Sequence, residues 1–141
     1  MVDRELVTRK MALILEDLRA ATPLAQKPLD DYLASAIDEV LAERYLERMI
    51  GRMIDINYHL IIEAGHAPPR DYYESFTQLA KLQILPPPFA SRIAACAGLR
   101  NRLVHEYEDI DPRRVHEGLQ SAVRDIPEYL RRIHEHVERA P

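Results

Sequence analysis

The chain has 141 residues, 47% hydrophobic and 30% charged, which excludes a disordered segment and favours one self-sufficient domain spanning residues 1–141. A formal charge of −4 excludes a protein that coats nucleic acid by bulk electrostatics, which needs clustered Lys and Arg, while leaving room for a local basic cleft. No apolar run is long enough to span a bilayer, Met1-Val2-Asp3-Arg4-Glu5 lacks the apolar core of a secretion signal, and the lone Cys96 cannot close an internal disulfide. The expected setting is therefore the cytoplasm, with no membrane contact.

The apolar spacing is helical nearly throughout, and the few β-branched clusters argue against sheet. The expected fold class is all-α, a bundle of about five helices with one long member. A first helix should run from about Asp3 to Ala21, with Leu6, Met11, Ile14, Leu15 and Leu18 inward. Thr22-Pro23 and Lys27-Pro28 should end it, because the residue before a proline avoids helical angles. The long helix should run from about Asp31 to Ala64 and measure roughly 45–50 Å. That exceeds what a small bundle needs, so one end should project or pack against a second copy. Leu46, Met49, Ile50, Met53, Leu60 and Ile61 give its inner face, Asn57 lies among them as an amide that either fixes register, the preferred reading, or lines the active groove, and Gly65 stops the helix.

Asp71 should cap a short helix through Leu82, and Pro86-Pro87-Pro88 should act as a stiff linker. The last of those prolines opens a helix from about Pro88 to Val104, with Phe89, Ile93, Cys96 and Ala97 inward. Asp111 and Pro112 then open a final helix that runs to about Arg139 across Pro127.

The run Arg100-Asn101-Arg102-Leu103-Val104-His105-Glu106-Tyr107 carries the chemistry. Arginine presents a planar fork of donors that fits phosphate oxygens and never loses its charge. Histidine can both take and give a proton near neutral pH. Tyr107 adds a modifiable hydroxyl. Five helical steps put Arg100 and His105 about 140° apart. For both to act on one phosphate, the helix must end or unwind near Val104, or the site must draw on two chains. The bland alternative is a surface charge network in which Glu106, Glu108, Asp109 and Asp111 pair with Arg100, Arg102, Arg113 and Arg114.

Arg100, Asn101, His105 and Tyr107, with four residues between the arginine and the histidine, and followed by Asp109-Ile110-Asp111, resemble the signature of the HepT-like toxins of the HEPN superfamily. The long helix and the short helix at Tyr72–Leu82 before the proline turn are also similar to that family, so the resemblance covers nearly the whole chain. It implies a homodimeric, metal-independent ribonuclease without a cofactor, an endoribonuclease or a tRNA-trimming enzyme, acting as the toxin of a type VII toxin–antitoxin pair. Arg100 and His105 would be catalytic and Asn101 supporting. The resemblance also implies a partner besides RNA: an MntA-type minimal nucleotidyltransferase that neutralises the toxin by adenylylation (AMPylation) of Tyr107.

A different class of reading uses the same residues: a non-catalytic helical module that docks a nucleotidyltransferase and presents nucleotide or Tyr107 to it. A plain helical dimerisation protein is a third. Glu63 and His66 stand three apart at a helix end, but two ligands make no metal site and Gly65 falls between them. His134 and His136 point to different faces, and Cys96 reads as a small core residue.

Overall fold

A computed structural model describes residues 1–106 and 109–140. Six helices follow in order: α1 (Arg4–Gln26), α2 (Leu29–Leu33), α3 (Ala36–Glu63), α4 (Tyr72–Lys81), α5 (Pro87–His105) and α6 (Pro112–Arg139). The all-α expectation holds. No helix among the described residues is long and apolar enough to cross a membrane.

Two boundaries differ from the sequence expectation. The first helix does not stop at Thr22-Pro23. It runs to Gln26, with Thr22 Oγ1 donating to the Leu18 carbonyl at 2.7 Å and Leu24 and Ala25 buried beyond the proline. The ring removes one helical donor, and burial of the next turn offsets that loss. The helix expected from Asp31 is divided in two. Pro28 opens the five-residue α2, and Ser35, extended at φ −118°, caps α3 by accepting from the Asp38 amide at 3.2 Å. The expected length of α3 falls accordingly to about 42 Å. Gly65, at φ +87°, ends it as anticipated, and the amides of Gly65 and His66 return to the Ile62 and Ile61 carbonyls.

Helix α3 is the axis of the bundle and packs against each of the other five. Its buried face includes Leu46, Met49, Ile50, Met53, Leu60 and Ile61, and Val7, Ile14, Phe76, Leu79, Ile93, Leu119 and Ile133 close over it. Of the stripe expected on α1, Ile14 and Leu18 are buried whereas Leu15 is 38% exposed.

Asn57 joins three helices at the centre. Its amide donates to Ser75 Oγ of α4 at 3.1 Å, and its oxygen accepts from the Tyr129 hydroxyl of α6 at 2.6 Å. That hydroxyl also lies 3.1 Å from the Met53 carbonyl, and Ser75 Oγ donates to the Tyr72 carbonyl at 2.7 Å. Every polar group of this buried cluster has a partner, so the register of α3, α4 and α6 is fixed together. The register reading of Asn57 is the one that fits.

Candidate active site

The site is built around the end of α5. Pro86 caps this helix and Pro87 and Pro88 fill its first turn, where an amide N–H would have no helical partner. Phe89, Ala90, Ile93, Ala94 and Ala97 anchor its inner face. The helix stays α-helical through His105, and the Glu106 amide caps it by donating to the Arg102 carbonyl at 2.8 Å. The helix thus ends one residue past Val104 without unwinding before it, and regular helical geometry up to that end sets Arg100 and His105 about 140° apart around the axis.

Arg100 lies on the inner side and is half-buried. Its guanidinium sits 5.0 Å from the ring centroid of Tyr72, and its buried Nε has no hydrogen-bond partner. Tyr72 is the first residue of α4, which Asp71 caps through the Glu74 amide at 2.8 Å. Tyr58 of α3 meets Tyr72 edge-on, centroids 6.2 Å apart and planes at 78°. Burial, with Tyr72 and nearby carboxylates adding to it, raises the Tyr58 phenol above its ordinary pKa, so it stays a neutral donor.

Arg100 opens onto a groove of about 600 Å³ that Lys10, Arg48, Arg52, Tyr58 and Tyr72 also line. His105 does not line it. Asn101, Arg102 and His105 are exposed. Asn101 lies four residues before His105, so these two share the outward face of α5. One chain thus brings Asn101 and His105 together and leaves Arg100 on the other side. Tyr107 and Glu108 lie outside the described residues. Among the described residues, none of Arg100, Arg102, Arg113 and Arg114 is within ion-pair distance of Glu106, Asp109 or Asp111. Asp111 instead caps α6, accepting from the Arg113 amide at 2.9 Å. The surface-network reading of this run finds no support there.

Glu63 pairs with the N-terminal ammonium, and His59 Nε2 accepts from the Asp3 amide at 2.9 Å. Among the described residues, no group of three or more His, Cys, Asp or Glu could hold a metal ion. Burial pushes the Cys96 thiol far above its ordinary pKa, consistent with an unreactive packing residue. Sequence reasoning missed the groove. Its signal was present in α3, where Arg48, Gly51, Arg52, Asp55 and Tyr58 recur at spacings of three and four and form one polar stripe opposite the apolar face.

Comparison with known proteins agrees with this architecture. The chain is 41% identical over 109 residues to the tRNA nuclease HepT of Aphanizomenon flos-aquae (strain 2012/KM1/D3), covering 77% of this chain and 74% of that protein. Its fold matches a crystal structure of a toxin–antitoxin with AMP-PNP at TM-score 0.84 and 20% identity, over 94% of this chain and 99% of the other. It matches a tri-AMPylated Shewanella oneidensis HEPN toxin, solved in complex with MNT antitoxin, at TM-score 0.82 and 21% identity, over 96% and 99% of the two chains. The sequence model of the family described as "Ribonuclease HepT-like" matches residues 11–133, and the chain belongs to that family.

Proposed function

We propose that this protein is the ribonuclease toxin of a toxin–antitoxin pair, cleaving RNA at a composite site to which one subunit brings Arg100 and its partner brings His105. The observation that carries this reading is the state of Arg100. Among the described residues, the other half-buried arginines, Arg48, Arg52 and Arg132, each have a carboxylate within ion-pair distance. Arg100 has no such carboxylate, only the face of Tyr72, and its Nε, like that of Arg132, makes no hydrogen bond. A guanidinium held by a ring keeps its charge and its donors for an incoming phosphate.

The continuous α5 supports a two-chain site, since one chain alone keeps the two groups on different faces. An exposed apolar stripe on the first turns of α3, with Ile37 73%, Val40 63% and Leu41 39% exposed, supports a second copy in the assembly.

The chemistry is an internal transesterification. The ribose 2′-oxygen attacks the adjacent phosphorus and the bond from phosphorus to the 5′-oxygen breaks. This leaves a 2′,3′-cyclic phosphate on one product and a 5′-hydroxyl on the other. His105 takes the proton from the 2′-hydroxyl or delivers one to the leaving oxygen. Arg100 stabilises charge on the non-bridging oxygens, and Asn101, beside His105, orients the substrate. The nucleophile belongs to the substrate, so the step requires no metal-activated water.

The antitoxin partner in this reading is an MntA-type nucleotidyltransferase. It transfers adenylate from ATP to the Tyr107 hydroxyl with release of pyrophosphate. The added charge and bulk two residues from His105 then oppose entry of RNA. The names of the similar structures, a toxin–antitoxin with AMP-PNP and an AMPylated toxin with its antitoxin, support this assignment.

Purified protein incubated with RNA in EDTA should cleave it, and the Arg100→Ala and His105→Ala proteins should not. A wild-type protein inert toward RNA and harmless when expressed alone would favour the non-catalytic docking module. Intact mass after co-expression with the nucleotidyltransferase should rise by whole adenylate units, and Tyr107→Phe should abolish the rise.

A further inference from the structure

Gly51 lies in the interior of the 28-residue α3, where glycine weakens a helix relative to alanine. Nothing in this chain requires it. Its φ is not positive, and a Cβ built on it would meet no atom within 4 Å. Gly118 provides the contrast, because a Cβ there would lie 2.4 Å from Leu99 Cδ2. Gly118 is glycine to admit a neighbouring helix, whereas Gly51 faces unoccupied space. That space is the groove that ends on Arg100.

The chemistry of the walls says what belongs in it. Arg48 and Arg52, on either side of Gly51, share one carboxylate, Asp17, at 3.2 and 2.8 Å. Across the groove and its ion pairs, Lys10, Arg48, Arg52 and Arg100 face the carboxylates Asp17, Glu47 and Asp55, with Lys10 held by Asp55 at 3.1 Å, so the positive charge left over is small and Arg100 supplies it at the far end. Tyr72 meets Tyr58 edge-on and has the Arg100 guanidinium over its ring, which leaves Tyr58 as the ring to take a base. Cations that track a backbone beside aromatic rings that accept bases are the pattern by which proteins hold single-stranded nucleic acid.

We infer that this groove is a binding site for the single-stranded RNA next to the scissile phosphate, with the strand passing over Gly51, its phosphates against Arg48 and Arg52, and a base on Tyr58. The inference rests on the ribonuclease reading, because Arg100 belongs to both. It adds that substrate selection is for an unpaired strand and that α3 carries the selecting residues.

The test separates binding from turnover. In the full-length His105→Ala protein, the affinity for a short fluorescein-labelled single-stranded RNA of mixed sequence is measured by fluorescence anisotropy. Gly51→Leu, which places a side chain in open space on the groove floor, should weaken binding about ten-fold, the equivalent of losing one stacked base. Its helical circular dichroism and melting temperature should be no lower than those of the parent. Tyr58→Leu gives a second reading should Gly51→Leu fail to fold, with the same loss expected. Arg48→Gln, which leaves Arg52 on Asp17, should reduce the slope of log affinity against log salt by about 0.7, one phosphate contact on a single strand.

A folded Gly51→Leu protein with undiminished RNA affinity would overturn the proposal. So would a variant that keeps RNA affinity but loses capture of the nucleotidyltransferase, which would make the groove a protein-docking surface. Cleavage by the protein with His105 intact is scored separately. If that protein cuts RNA while Gly51→Leu binds normally, the groove assignment fails and the ribonuclease reading stands. If it does not cut while Gly51→Leu still loses binding, the groove stands and the ribonuclease reading fails.

Discussion

Arginine serves two purposes in this bundle, and the contrast lies in what each guanidinium rests on. At Asp17 of α1, one buried carboxylate gathers Arg48 and Arg52 from α3. At Asp125 of α6, another gathers Arg92 of α5 and Arg124, at 3.3 and 3.1 Å. At the end of α5, Arg100 has no carboxylate among the described residues and lies over the ring of Tyr72. The first two arrangements satisfy a buried anion and tie helices together. The third leaves a cation with no carboxylate to answer it among the described residues. Enclosing a guanidinium without an acid costs free energy, which in the proposed function a bound phosphate would offset.

The largest effects should separate the two kinds most clearly. Arg100→Ala and His105→Ala should each lower RNA cleavage by about 10²–10⁴-fold, read from single-turnover rates, with little change in melting temperature. Arg100→Lys should also fail, since an ammonium lacks the planar fork. Conversely, Asp17→Ala should act on stability. It leaves Arg48 and Arg52 to repel each other and should cost about 1–2 kcal/mol after allowance for the part-exposed arginines. A drop of about 2–4 °C in melting temperature per kcal/mol would register it calorimetrically.

A smaller effect sharpens the comparison at Tyr72. If the ring positions Arg100, Tyr72→Leu should lower cleavage by about five-fold, while Tyr72→Phe, which keeps the π face, should retain it. Equal losses in both variants would assign the effect to the hydroxyl instead.

The smallest effect concerns acid. Burial opposes the charge of Asp125, but hydrogen bonds from Arg124 and Arg92 outweigh it and hold the carboxyl below its ordinary pKa. A depressed carboxylate contributes stability that is fully present above its unfolded value, about 3.9, and lost as pH falls through the folded one. Asp125→Asn should therefore be less stable than wild type at neutral pH, and the two should converge only as pH falls through the depressed pKa of the folded carboxyl.

Much of the fold could be read from local chemistry. The caps at Asp71 and Asp111, the stop at Gly65 and the proline start of α5 each depend on a few adjacent residues. The errors arose where a distant contact competes with a local rule. Pro23 resembles a terminator, yet burial of Leu24 and Ala25 carries α1 past it. Ser35 is a sound cap, but Tyr32 and Leu33 continue the apolar rhythm into α3 and disguise the break. The same division holds at the site. Arg100, Asn101 and His105, the residues of the proposed site, could be grouped from sequence because they lie within six residues of each other. Tyr58 and Tyr72 reach Arg100 only through the packing of α3, α4 and α5, which Asn57, Ser75 and Tyr129 help to register. No spacing rule reports that convergence.

Mixing inactive subunits tests the composite site most directly. Arg100→Ala and His105→Ala proteins are unfolded, refolded together, checked for mixed dimers by native mass spectrometry, and assayed on RNA. A site shared between chains should recover about a quarter of wild-type activity, since half of random dimers are mixed and each of those keeps one intact pair. Mixed dimers that form in that proportion and remain inactive would contradict the account.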